Sequence, residues 1–578
     1  MNKKLLLSAL MCGMLLTAHG QFTVNQLPVV LDSLTGNFLC SVPREAFDAP
    51  YQATLNLVGD QWNKLFIGAT KVSPVGKYTF ASIDSARVFP LTAIAGRDTL
   101  HYGLTFTWHP ILMLNALEGE FNTDYKASSV VFIAPGEMAT EPLASKAKWK
   151  GNTTVRYERE KRNYHLKFLD EEGNKADVKF FPDLRSDNNW LLDAGQVDNA
   201  RIRNKAGMDL WMDLVPPMYY ADQEPKAING VRSHIVEVFL DGKYHGFYSM
   251  SESMDRKQLK LKKFDEKTKE VHGQLWKTFL WNDYTLMAAE LPDRTTAHYK
   301  VYYGYEPKYP DIDDVFPIRL RELVDAVNFV VNSSDEEFKA HVAEYFDIPV
   351  LKAYVILYQL LLAWDNGGKN MNWAIYDREQ DKKLTFVAWD FDATVGQDYI
   401  NLKNVDEAKI SPERNLKFSH RLFRRLIDMN VDGFKTDVTM TYYRLRKTLL
   451  REDSLVNRYV GLIEKLQHSG AAQRETKRWS GVVDLYYRDL DFDYQKQYIA
   501  DWWHRRLAFL DEKVFKVTPV YGDVNRDLVV DVEDVNAVLN VMLHKSTFDT
   551  EADINGDGAV DVDDLNAIIS IMIHKLFE

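Results

Sequence analysis

The run Asp365-Asn-Gly-Gly-Lys-Asn370-Met-Asn372 is followed a short way on by Val387-Ala-Trp-Asp390-Phe-Asp392. The first follows a largely apolar stretch from Phe346 to Ala363, which predicts a buried helix that delivers Asp365 at its C-terminal end. The second closes an apolar strand. A strand ending in Asp-Phe-Asp puts one or two hard carboxylate oxygens where a divalent cation bridges phosphates. Asp365 is placed to accept a proton from a hydroxyl, and the amide oxygen of Asn370 or Asn372 is a further hard ligand. Together the runs read as a metal–nucleotide site.

Outward from that site, the composition sets limits. A chain of 578 residues, 46% hydrophobic and 12% aromatic, is globular and too long for one core, so about three domains are expected. Residues 1–20 read as a signal peptide: Lys3-Lys4, an apolar stretch from Leu5 to Leu16, then Ala18-His19-Gly20 before Gln21. That stretch is too short for a mature anchor, and Met11 before Cys12 argues against lipidation. No later segment approaches roughly eighteen unbroken apolar residues, so no transmembrane anchor is expected. The mature chain is expected outside the cytoplasm: secreted, at the cell surface, or periplasmic. It would keep Cys40 alone, which excludes an internal disulfide.

The net charge of −12 is local, because the segment Asp523–Glu578 carries −10 of it. The remainder is near neutral and shows no basic face of the kind that grips nucleic acid. The acidic segment is a repeat. Asp523-Val-Asn525-Arg-Asp527-Leu-Val529-Val-Asp531-Val-Glu-Asp534 returns thirty residues later as Asp553-Ile-Asn555-Gly-Asp557-Gly-Ala559-Val-Asp561-Val-Asp-Asp564. Side-chain oxygens at these intervals, with the backbone carbonyls of Val529 and Ala559, make the twelve-residue calcium loop, so two Ca²⁺ are expected. The second copy has the turn glycine, Gly558; the first has Leu528 there. Each loop runs into an amphipathic helix, with Val535, Val538, Leu539 and Met542 in one and Leu565, Ile568, Ile569 and Met572 in the other. That stripe is expected to bury each helix against the other repeat. The pair, residues 519–578, resembles a type I dockerin, a small all-α module. The resemblance implies docking to a cohesin-like partner, commonly in extracellular polysaccharide-degrading assemblies.

Residues 21–110 alternate in short runs, Gln52–Val58, Arg87–Ala93 and Leu100–Trp108, broken by Gly and Pro turns. A β-sandwich-like module serving as a spacer or interaction unit is expected. From 111 strands and helices mix. Lys150-Gly-Asn-Thr-Thr154 is a polar turn before Lys161-Arg-Asn-Tyr-His-Leu-Lys167-Phe, a strand with alternate basic residues. A lysine-bearing strand beside a glycine turn could cover phosphates, although on periodicity alone an ordinary hairpin with lysines facing water fits better. Glu237 to Tyr248 reads as a hairpin turning at Asp241-Gly242 and leading to Glu252. Trp479, Trp502 and Trp503 are expected in a helical core over 415–515.

The Asp365–Asn370 interval is that of a kinase catalytic loop. With Trp190-Leu-Leu, Asp198-Asn-Ala-Arg-Ile-Arg203-Asn204, the Asp241 hairpin and the Asp390-Phe-Asp392 end, residues 111–515 resemble the CotH kinase family, the spore-coat-protein-H-like atypical kinases. The turn opens with Lys150 where that family usually has Arg. No Gly-rich loop is present, no His-Arg precedes Asp365, and Asp-Phe-Asp stands for Asp-Phe-Gly. The resemblance implies an α+β kinase-like domain that moves a phosphoryl group from ATP to a hydroxyl of a protein or glycan. In it Asp365 is catalytic, and Asn370 or Asn372 with Asp390 and Asp392 holds Mg²⁺ or Mn²⁺. Lys150 and either Lys161 or Lys167 meet phosphates, and Glu252 lies by the adenine. Arg203 is either a second phosphate contact or a structural ion pair. The rival readings are a kinase-like scaffold without activity and a carbohydrate-active enzyme with paired carboxylates.

Overall fold

The computed structural model describes residues 22–72, 75–151, 155, 160–292, 301–311, 321–397, 416–481, 490–516, 521–525, 529–543 and 552–575. The leader, Asn152 to Thr154 and Asp527 lie outside the described residues.

The first unit is a nine-stranded sheet. Its observed strands Tyr51–Leu57, Phe89–Ala95 and Asp98–Thr107 match the runs read from alternation to within a few residues. Strands near both ends of the sheet, carrying Leu65 and Phe80, feed one core with Phe22, Phe38 and Phe106, so the sheet curls on itself. The expected sandwich of two sheets is thus one continuous curled sheet.

The second unit is a closed seven-stranded barrel. Around it run Ile111–Ala116, Lys126–Ile133, Leu143–Lys150, Asn163–Phe168, Asn189–Asp193, Lys243–Glu252 and Ser233–Leu240. The last pairs in parallel with the first, Ile111 opposite Glu237, and removes both edges. Alternate residues fill the barrel, among them Leu114, Phe132, Leu166, Trp190, Val238 and Tyr248. Ile111, Met113, Val131 and Phe239 point outward and pack on Val30 and Leu39 of the first sheet. The hairpin turns as expected, with Asp241 and Gly242 both in the left-handed region, at φ 49° and 72°.

Helices and a four-stranded sheet complete the middle of the chain. The strands Tyr305–Tyr309, Gln274–Thr278, Met371–Ile375 and Thr385–Ala388 lie side by side in that order. The apolar helix Ile348–Leu361 is buried over most of its length, as its composition demands. Trp479, Trp502 and Trp503 are all in the helical core. No helix among the described residues is long and apolar enough to cross a membrane.

One turn of the helix Ala471–Trp479 ties these units together. Arg474 forms a bidentate pair with Glu237 of the barrel at 2.7 and 2.6 Å and donates to the Phe106 carbonyl of the first sheet. Glu475 next to it is fully buried and accepts from Lys161 Nζ at 2.7 Å, Arg201 Nε at 3.1 Å and the Phe247 amide at 3.2 Å. The approach demands glycine at 246, where a Cβ would stand 2.2 Å from a Glu475 oxygen.

At the C-terminus, helices Val532–Met542 and Val562–Lys575 pack around Val530, Val538, Val541, Ile554 and Ile568. The two preceding loops share a closing contact among the described residues. Asp534 is buried and accepts from the amides of Asn525 and Asp531, each at 2.8 Å. Asp564 does the same for Asn555 and Asp561, at 3.1 and 2.9 Å. Asp553 accepts from the Asp557 and Gly558 amides and Asp557 from that of Ala559, so the second loop closes through its own backbone. The expected burial stripe is corrected at two positions. Leu539 and Ile569 are 39% and 41% exposed, because helical phase turns Val538, Val541 and Ile568 inward instead. Val532, Leu539 and Leu543 form an exposed apolar row, and Val562, Ile569 and Ile573 repeat it thirty residues on.

Glu475→Ala would leave Lys161 and Arg201 as unmatched buried cations. It should lower stability by about 3–5 kcal/mol, read as a fall in the melting temperature of the full chain. An unchanged melting temperature would refute the clamp.

Candidate active site

The apolar helix ends at Leu362, which adopts a left-handed conformation, and the chain turns tightly through Trp364–Gly367. Asp365 therefore sits on the rim of the core with little freedom. Its loop is locked to the Asp390 strand end by Asn366, whose amide donates to the carbonyls of Trp389 at 2.6 Å and Asp390 at 3.2 Å. The Asn366 carbonyl in turn accepts from the Tyr354 hydroxyl at 2.5 Å. The two glycines are there for close approach. A Cβ on Gly367 would lie 2.9 Å from the Trp281 indole, and one on Gly368 2.6 Å from Leu286. Asn370 donates to Asp365 Oδ2 at 3.0 Å, which orients that carboxylate and leaves the amide oxygen of Asn370 for another partner.

The Asp390-Phe-Asp392 turn is held from the barrel side. Asn204 accepts from the Phe391 amide at 2.9 Å and donates to Asp193 at 2.5 Å. Phe391 is buried against Gly207, where a Cβ would stand 2.7 Å away. Asp390 has φ 69°, a left-handed turn that lets the carboxylates on either side of Phe391 face one cavity.

That cavity, of about 410 Å³, is the meeting place of the site. Asp365, Asn370, Asp390 and Asp392 line it together with Lys150, Lys277, Lys308 and Lys369. Asp193, Asn204 and Glu306 also line it, with Ser233, Ser249 and Ser251 on the barrel's outer face. Burial, then Asp390, Asp193 and Asp365, holds the Asp392 carboxyl well above the usual range. Burial raises Asp390 as well, against the pull of Lys277. Burial and the neighbouring Lys277 and Lys308 push Lys150 down to about 7. The indole of Trp389 lies between these cations, 5.1 Å from Lys150 Nζ and 5.9 Å from Lys277 Nζ.

Both kinds of charge are thus crowded in one enclosure, and each would be relieved by a ligand of the opposite sign. Among the described residues no three Asp, Glu, His or Cys side chains gather closely enough to form a metal centre alone. Two crowded carboxylates with an amide oxygen suit an ion that completes its shell with phosphate oxygens and water, as Mg²⁺ does.

Several expected residues stand elsewhere. Lys161 is sealed in the core on Glu475 and the Phe247 carbonyl, so it meets no phosphate. Lys167 lies on the barrel's outer face over Tyr125, beyond the cavity lining. Arg203 resolves as the structural pair, bonded to Asp198 at 2.5 Å, Gln495 at 3.1 Å and the Val395 carbonyl at 3.2 Å. Glu252 is buried on Arg232, the Arg185 amide and Gln258, outside the cavity. Asn372 stands opposite Lys277 in the sheet but donates to the Val387 carbonyl at 3.2 Å and lies outside the cavity lining, so only Asn370 of the two reaches the cavity. The sequence reading missed Lys277, Lys308 and Lys369 and the Asp193–Asn204 pair. Lys369 and Asn204 lay inside the quoted motifs, whereas Lys277 and Lys308 had no local signal.

The family model described as CotH kinase protein matches residues 147–510, a span that holds the whole cavity lining. No curated protein matches the chain. The match covers most of the chain, and the chain belongs to the CotH kinase protein family.

Proposed function

We propose that the chain is an exported phosphotransferase that moves the γ-phosphoryl group of ATP to a hydroxyl. The observation that carries this reading is the cavity that gathers Asp365, Asn370, Asp390 and Asp392 with Lys150, Lys277, Lys308 and Lys369. Asp365, steadied by Asn370, holds the acceptor hydroxyl and takes its proton as the new oxygen–phosphorus bond forms and the β–γ bridge breaks to release ADP. Lys150, Lys277, Lys308 and Lys369 take up phosphate charge. A Mg²⁺ or Mn²⁺ held by Asp390, Asp392 and the Asn370 amide oxygen would neutralise phosphate oxygens and relieve the crowded carboxylates.

The reading extends to the acidic C-terminus as a dockerin that binds two Ca²⁺ and a cohesin-like partner. Its support is the repeat in ligand spacing and in the paired exposed rows of Val532, Leu539, Leu543 and Val562, Ile569, Ile573. Apolar rows left facing water on both helices suit a partner's surface.

Asp365→Asn should keep ATP binding and lose transfer by on the order of 10²-fold or more, because a carboxamide cannot accept the proton. Transfer of labelled phosphate at the wild-type rate would reduce Asp365 to a polar cap on its helix.

Asp392→Asn should abolish metal-dependent nucleotide binding without loss of fold. The sign of its stability effect follows from the raised carboxyl: the native state keeps a proton that the unfolded chain releases near pH 4. Stability of the metal-free wild type should therefore fall as pH rises from about 4 towards the raised value. The substitution should flatten that slope, and calorimetry across the range reads it.

Residues 519–578 should order on calcium, since each loop gathers carboxylates whose repulsion opposes closure. A loop at about 100 times its Kd gains roughly 2.7 kcal/mol. Circular dichroism of that segment left unchanged by a chelator would overturn the calcium reading.

A further inference from the structure

Strand geometry lays a file of cations along the outside of the barrel. Lys146, Lys148 and Lys150 fall two residues apart on the strand Leu143–Lys150 and share a face, while Ser145 and Ala147, of the opposite parity, turn inward. The next strand is in register with Lys146 opposite Lys167, Lys148 opposite His165 and Lys150 opposite Asn163. Lys167 and His165 therefore join the same face. Tyr125 anchors it: the ammonium nitrogens of Lys146, Lys148 and Lys167 stand 5.4, 4.7 and 4.8 Å from its ring centre. Its hydroxyl meets His165 Nδ1 at 3.0 Å.

These cations are not there to satisfy the protein's own acids. Among the described residues, Lys146, Lys148 and Lys167 make no ion pair with a carboxylate. Burial, and then the neighbouring Lys146, Lys148 and Lys175, push the Lys167 ammonium below the ordinary range. The Nε2 atom of His165 is buried without a hydrogen-bond partner among the described residues. Three half-exposed ammoniums held over one ring, with no paired carboxylate among the described residues, form an anion-binding surface.

The file runs into the site and stops there. Lys150 lines the cavity, whereas Lys146, Lys148 and Lys167 lie outside its lining. Lys150, Lys277, Lys308 and Lys369 line the cavity itself, where the proposed function gives them the polyphosphate. Cations that begin where the nucleotide cavity ends are placed for the other substrate. We propose that Lys146, Lys148 and Lys167 bind an acidic segment of the acceptor protein, so that the substrate is a serine or threonine hydroxyl with Asp or Glu residues a few positions away. This rests on the phosphotransferase reading.

Spacing favours an extended peptide. Lys146 and Lys150 are about 13 Å apart along their strand, which an extended chain spans in about four residues. Lysines two residues apart meet alternate carboxylates of such a chain. A single-stranded nucleic acid would want open aromatic faces for its bases, and the Tyr125 ring is already covered by ammoniums.

The test is fluorescence anisotropy of the full-length protein with a labelled serine peptide bearing a run of glutamates, against the same peptide with glutamines. The acidic peptide should bind, weaken with added salt, and lose about tenfold in affinity in the Lys146→Ala/Lys148→Ala/Lys167→Ala variant. The corresponding triple arginine variant should keep it, and saturation with a non-hydrolysable ATP analogue should leave it within about twofold. Equal binding of the glutamine peptide, unchanged affinity in the alanine variant, or displacement by the nucleotide would overturn the proposal. So would tighter binding of oligogalacturonate or single-stranded RNA of equal charge. Binding is read without transfer, so the two readings fail separately. Acidic-peptide binding with no labelled phosphate incorporated supports the track and removes the phosphotransferase, and transfer indifferent to acidic residues does the reverse.

Discussion

A carboxylate sealed away from water must be met by donors on every side, and Glu475 is met by three groups from distant parts of the chain. Desolvating such an ion costs several kcal/mol, which only good geometry with matched cations offsets. Lys161 precedes it by 314 residues and Arg201 by 274. Arg474, one residue earlier, makes the same demand in the opposite sign on Glu237 and on the first sheet. Two adjacent side chains on one helical turn thus fix barrel, helices and N-terminal sheet. The cavity depends on it indirectly, because the barrel supplies its outer-face lining and the helical core supplies Asp365.

Within that frame amides join the segments that line the cavity, while Lys369 pairs with Asp365 at 3.8 Å. Asn366 joins the Asp365 loop to the Asp390 strand end, and Asn204 joins the same strand end to the barrel strand that carries Asp193. Neutral side chains hold the geometry, while acid crowds acid at Asp390 and Asp392 and base crowds base at Lys150 and Lys277, with Lys277 also drawing on Asp390. A cavity preorganised in this way needs little rearrangement to meet a charged ligand.

What could be read in the sequence was what lies close together along the chain. The Asp365 run, the Asp390 strand end, the Asp241 turn and the C-terminal repeat are local patterns, and the structure sets Asp365, Asn370, Asp390 and Asp392 around one space. The lysines were misjudged for one reason. A strand lysine has the same alternation whether it faces a phosphate, a ring or a buried acid. Lys161 was claimed by a residue 314 positions away, and Lys277 reached the cavity through a sheet whose neighbours come from residues near 305 and 371. The barrel's closure was likewise invisible, since a parallel pairing between Ile111 and Glu237 leaves no mark on either strand. At Leu539 and Ile569 the error was one of helical phase: adjacent apolar residues compete for one inward position, and composition does not rank them.

The adjacency of Arg474 and Glu475 also bears on how this protein can change over generations. The N-terminal sheet precedes the family-matched span, which begins at residue 147, and would look like an appendage open to exchange or loss. Its Phe106 carbonyl and the barrel's Glu237 nevertheless share one guanidinium. Removal of the sheet would strip cover from that largely buried cation. A lineage that discards the sheet must therefore also reinvent position 474, and inheritance of the two ends of the chain is linked through a single codon.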